Sequence, residues 1–161
     1  MAALVLLFYL AVLLHIVCFA AWFGLGLGLT RQSRTVLAAE PAVGVVLAAE
    51  GTRTIKLMTL FVALAYVFAL VAFFTNPKFI SLGMAGYEWP YHTALTLGLL
   101  LVVVQFLLVR PSWGRLQAAV GAPEAEAARK RLAMGVGIGH TLWLVLLVLM
   151  FWTQLVAAAT L

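Results

Sequence analysis

The sequence predicts an all-α integral membrane four-helix bundle. Three observations carry that expectation. Of the 161 residues, 66% are hydrophobic and only 9% are charged, whereas about a quarter of a soluble domain is charged. Uncharged runs long enough to span a bilayer, roughly 20 residues each, occur four times: Ala2 to Thr30, Leu57 to Pro77, Trp89 to Val109 and Leu132 to Leu161. Every lysine and arginine lies between those runs. We therefore expect one transmembrane domain over residues 1–161, with spans near 3–30, 54–75, 90–110 and 124–158.

The first run has no basic residue ahead of it, and it exceeds the 7–15 apolar residues of a signal-peptide core. It reads as a true span. The connection that follows contains VLAAE twice, at 36–40 and 46–50. We expect one or two short interfacial helices there, with Glu40 and Glu50 turned to water. Gly51 is expected to end that segment and Thr52 to cap the second span, with Arg53 and Lys56 reaching the headgroups. The next connection, TNPKFISLGMAGYEWPYH, is short and supplies Tyr87, Trp89 and Tyr91 to an interfacial aromatic belt. In the third connection Pro111 is expected to stop span three and Trp113 to lie at the interface. Pro123, followed by Glu124 and Glu126, marks a helix start, with proline in the first turn and carboxylates at the positive end of the dipole.

The cations are distributed asymmetrically. Arg31, Arg34, Arg53 and Lys56 occupy the first connection, and Arg110, Arg115, Arg129, Lys130 and Arg131 the third. The middle one holds Lys78 alone. The positive-inside rule places the first and third connections in the cytoplasm and both termini outside. The net charge of +5 then faces anionic lipid headgroups. Membrane lipids are the expected partners and nucleic acid is not, because the cations flank spans instead of forming one stripe. A single cysteine excludes an internal disulfide and a cysteine metal cluster. No catalytic dyad or phosphate loop argues for hydrolysis or group transfer, and no acidic residue or internal proline in a span argues for transport.

The histidines carry the functional argument. His92 lies at the end of span three beside Trp89 and Tyr91, where an interfacial role competes with a cofactor contact. His15 and His140 lie within spans one and four. Counted from the span ends at 1.5 Å per residue, they fall at comparable depth. Two imidazoles at matched depth on different helices are what the axial ligation of a b-type haem requires; interhelical hydrogen bonding is the competing reading. Glycine costs a helix roughly 1 kcal/mol relative to alanine, yet GVGIGHTLW (135–143) holds three. Gly24/Gly28 and Gly135/Gly139 are small-xxx-small pairs that would let spans one and four approach closely. Gly137, one turn before His140, would clear a porphyrin edge. His15, Cys18 and Trp22 share one helix face. The candidate cofactor set is thus His15, Cys18, Trp22, His92, Gly137 and His140, with His15 and His140 as metal ligands.

The stretch LLHIVCFAAWFGLGLGLTRQSR (13–34) resembles the first span of the bacterial HemJ-type protoporphyrinogen oxidases and their CopD-like relatives. RTIKLMTLFVALAYVFAL (53–70) is similar to their second. The resemblance implies a four-span protein of the bacterial inner (plasma) membrane, haem held through His15, and oxidoreductase activity. That family carries an intramembrane lysine in its third span. Here Thr93 stands at the corresponding place and no span contains a lysine, so either His140 replaces it as second ligand or the haem and the activity are both absent. Two classes of function follow. One is a haem-binding redox protein, porphyrinogen-oxidising or electron-transferring. The other is a non-catalytic subunit packed in a homo-oligomer or a larger respiratory or photosynthetic membrane complex.

Overall fold

In a computed structural model, which describes residues 2–159, the chain is helical almost throughout. The elements are α1 (Ala2–Ala38), α2 (Pro41–Thr75), α3 (Pro77–Leu82), a 3-10 turn (Gly83–Gly86), α4 (Trp89–Val104), a π-helical segment (Gln105–Val109), α5 (Arg110–Ala118), α6 (Glu124–Met150) and α7 (Trp152–Ala159). Four helices are long and apolar enough to cross a membrane: α1, α2, the continuous stretch Trp89–Ala118, and α6. Each packs on its neighbours around a ring, α1 on α2 and α6, and the α4–α5 stretch on α2 and α6. This is the expected all-α bundle of four membrane-spanning helices.

The helices are longer than the hydropathy pattern implies. α1 has 37 residues, about 55 Å at the helical rise, against a hydrocarbon core of about 30 Å. The bundle therefore continues beyond the apolar zone at the end that carries nearly all the cations. The interfacial helices expected around VLAAE do not form. The first copy finishes α1 and the second lies inside α2, with only Ala39 and Glu40 between the two helices. Glu40 and Glu50 do face outward. The buried faces explain the continuity. Along α2, Gly44, Ala48, Gly51, Ile55, Met58, Val62 and Ala65 are buried at alternating steps of four and three, the seam of left-handed helix packing. Ala11, His15, Cys18, Trp22, Gly26, Leu29, Ser33 and Val36 form the matching stripe on α1.

Gly51 and Trp113 both correct the expectation. Gly51 is buried mid-helix, where a Cβ would overlap the Trp113 ring. Trp113 is 1% exposed and inserts between helices; its Nε1–H faces the Ala48 carbonyl at 3.3 Å and the Thr52 hydroxyl oxygen at 3.2 Å. Thr52 is accordingly no cap: its hydroxyl reaches back to the Ala48 carbonyl and across to Oε1 of Gln117.

Pro111 does not stop span three either. A proline inside an α-helix lacks an N–H and its ring meets the carbonyl four residues back. The π-helical turn Gln105–Val109 immediately precedes it, and such a widened turn absorbs the disruption, so the axis continues into α5. Pro41, Pro77 and Pro90 stand in the first turns of α2, α3 and α4, where the missing N–H costs nothing. Positive φ values at Gly83 and Gly121 turn the chain after α3 and between α5 and α6. α6 begins as expected at Glu124 but ends at Met150, and Phe151 separates it from α7.

Candidate functional site

His15 is buried in the bundle and His140 is half-buried, and they do not face each other. His15 is 7% exposed and its Nδ1 lies 2.8 Å from the Ala65 carbonyl of α2. A carbonyl can only accept, so Nδ1 carries the proton and Nε2 keeps the lone pair. Nε2 has no partner and is covered; the Phe19 ring stands edge-on against the imidazole at 4.8 Å. His140 packs instead on Phe23 and Trp22, with centroid distances of 4.5 and 5.6 Å. Its Nε2 faces Gly26 and makes no hydrogen bond. Gly26 is eleven residues along α1 from His15, roughly 16 Å by helical rise. The rings of Phe19 and Trp22 lie between the two imidazoles, in edge contact with each other. One iron cannot take both as axial ligands in this arrangement.

The glycines account for the offset. Gly24 and Gly28 have no atom within 4 Å of a would-be Cβ, so they face away from α6 and do not form the expected seam with Gly135/Gly139. Gly26 of α1 approaches α6 instead: a Cβ there would stand 2.6 Å from His140 Nε2. Gly139 receives the Trp22 ring, and Gly135 receives Leu108 and Val109. Gly137 is exposed with open space around it, so it clears the lipid-facing surface of α6 rather than a site beside His15.

At the level of His15 a different set of residues converges. His15, Phe19, Phe73, Tyr87, Leu146 and Met150 belong to the wall of a predominantly apolar cavity of about 430 Å³, which extends to Tyr87 and Tyr91 of the aromatic belt. That volume is within the range of small-molecule and cofactor sites. Asn76 and Tyr91 add polar groups to its lining. Of the other candidates, Cys18 and Trp22 are buried on the His15 stripe but stand outside the cavity wall. His92 lies against Phe73 and Tyr87, at centroid distances of 6.2 and 6.3 Å, also outside that wall. Among the described residues no three His, Cys, Asp or Glu side chains cluster as a metal site would require.

Tyr87 closes one side of the cavity. It stacks on Phe73 and donates to the Phe73 carbonyl at 2.7 Å. Burial pushes its phenol up to about 12, with the neighbouring Tyr91 adding to the shift. The ordinary value is near 10. Since the folded value is the higher, the contribution of neutral Tyr87 to stability is intact below pH 10 and is lost as pH rises through 12. An ultraviolet titration is expected to show a phenol ionising near pH 12 that disappears in Tyr87→Phe; an unchanged curve in that variant would refute the assignment.

A second polar feature lies deeper. Gln105 is fully buried and joins three helices: Trp22 Nε1 donates to its Oε1 at 3.2 Å, and its Nε2 donates to Thr59 Oγ1 at 3.1 Å. Its only sequence signal is an amide isolated in the apolar run LVVVQFLLV, and a lone intramembrane amide points to an interhelical bond. Comparison with family models, curated proteins and solved structures returned no match.

Proposed function

We propose that the protein binds a b-type haem in the cavity at the aromatic end, where His15 would hold it through Nε2. The observation that carries this reading is the His15 imidazole, held by the Ala65 carbonyl in the tautomer that leaves Nε2 free to ligate. A backbone acceptor at the remote nitrogen is the usual support of a ligating histidine, and an unpaired imidazole in hydrocarbon is otherwise costly. The residues fit the group in kind: one lone-pair nitrogen, apolar walls from Phe73 and Leu146, and polar groups from Asn76 and Tyr91. Met150, in the same wall, would offer a thioether as a second ligand, a role that neither His140 nor a lysine fills here. Phe19 has to yield before Nε2 is reached.

When bound, the haem would supply a one-electron couple, and the apolar shell would exclude water and tune its potential. Redox chemistry, whether porphyrinogen oxidation or electron transfer, is the activity this reading implies. We further place the cation-rich end in the cytoplasm of a bacterial inner membrane, which puts the cavity toward the outer leaflet. The test is the absorption spectrum of detergent-purified protein from haem-sufficient cells, oxidised and then dithionite-reduced. Stoichiometric b-type haem is expected. A spectrum without haem overturns the reading and favours a non-catalytic subunit of a larger membrane complex.

A further inference from the structure

We infer that the flank of α1 and α2 at the cation-rich end is a binding site for one acidic phospholipid, held by Arg31 with an acyl chain on the bare backbone of Gly24 and Gly28. This inference is independent of the haem reading. A cavity of about 400 Å³, open to the surface, runs along α1 from Gly24 to Thr35, roughly 16 Å by helical rise. Its deeper part is formed by Gly24, Leu25 and Gly28, and its outer part by Arg31, Gln32 and Thr35. Along the α1 wall, apolar surface therefore passes into cationic and polar surface in the direction in which a bilayer passes from hydrocarbon to headgroup, while α2 lines the groove with Leu47 and Thr54.

The emptiness of the groove is built by sequence. Both Gly24 and Gly28 lack any neighbour within 4 Å of a would-be Cβ. They serve no internal packing, yet each carries the helical cost of glycine. A larger side chain at either would fill the groove. At its polar end Arg31 has no ion-pair partner among the described residues. The two ion pairs among the described residues join Arg129 and Lys130 to Glu126, and Arg31 takes part in neither. Among the described residues Gln32 has no side-chain hydrogen-bond partner. No carboxylate lines the groove. A guanidinium presents paired donors matched to a phosphate, and the neighbouring Gln32 adds an uncharged amide donor, while the Thr35 hydroxyl donates to the Arg31 carbonyl.

Charge decides between the two natural occupants of such a surface. A second copy docking through Gly24 and Gly28 would be the small-xxx-small dimer of parallel helices. Two-fold symmetry would then bring Arg31 beside its own counterpart, with no carboxylate in the groove to offset the repulsion. An acidic phospholipid brings the opposite charge to the same place.

Native mass spectrometry of the detergent-solubilised protein, titrated with phosphatidylglycerol or phosphatidylcholine, tests the assignment. Wild type is expected to retain phosphatidylglycerol preferentially. Arg31→Gln is expected to weaken that binding about five-fold, the effect of one interfacial cation. Arg34→Gln, which removes the same charge outside the groove, should leave it near wild type. Gly28→Leu should abolish the selectivity while the thermal transition shows that the bundle is folded; if that variant does not fold, the arginine pair decides alone. Equal losses for Arg31→Gln and Arg34→Gln would mean diffuse attraction and overturn the site. So would a wild-type dimer that Gly28→Leu dissociates with phosphatidylglycerol binding intact, because the groove would then hold a second copy.

Discussion

His15→Ala protein is expected to lose its haem, whereas His140→Ala protein keeps an unaltered haem spectrum. Disturbing only the group that orients a metal-bound histidine costs about 10–100-fold in affinity, so removing the ligand itself should cost more. His140 reaches Gly26, Trp22 and Phe23 and contributes nothing to the cavity wall. Its removal takes away packing and lowers the melting temperature, but it leaves the site as it was. Exogenous imidazole should restore a bound spectrum to His15→Ala, because it can enter the space that the side chain vacates. Met150→Ala is expected to keep the haem while its spin state changes. Haem retained at full occupancy in His15→Ala, or lost equally in His140→Ala, would sink the His15 assignment.

The largest stability effect is expected at Gly51. In an open helix position, Gly→Ala gains up to about 1 kcal/mol. At Gly51 the new methyl meets the Trp113 ring, which is buried and committed to the Ala48 carbonyl and the Thr52 hydroxyl. It has nowhere to move without breaking those bonds. Overpacking of this kind costs about 1–3 kcal/mol, and a donor left unpaired adds about 1–3 more. Gly51→Ala should therefore fall clearly below wild type in detergent unfolding, and Gly51→Leu should fail to assemble. Gly137→Ala, with open space around it, is the control and should equal or exceed wild type. Trp113→Leu in the Gly51→Ala background should relieve part of the loss, since the clash needs both partners. If Gly51→Ala is as stable as Gly137→Ala, the wedge is not packed as described.

The two stripes of α1 and α2 show why the ends of the spans were illegible to hydropathy. Hydropathy registers where lipid contact stops. The helices stop only where packing stops, and the buried alternation continues through Ser33 and Val36 on α1 and through Gly44 and Ala48 on α2. Pro111 misleads for a related reason. The effect of a proline depends on the turn before it, and the π-helical geometry of Gln105–Val109 has no signal in residue type.

Four spans, their order and the gathering of cations at alternate connections followed from the sequence, because a bilayer demands length and apolarity from each segment separately. Which polar groups meet followed only from the tertiary structure. His15 and His140 look matched when each is counted from its own span end. Helix register against a neighbour is set by side-chain fit, however, here by Trp22 over Gly139 and His140 over Gly26, and that fit offsets the imidazoles by some three turns of helix. It also turns Gly24, Gly28 and Gly137 outward and brings Met150 into the wall of the same cavity as His15. Lipid solvates every helix alike, so an apolar pattern says that a helix crosses the membrane, while only interhelical packing decides which face it turns inward.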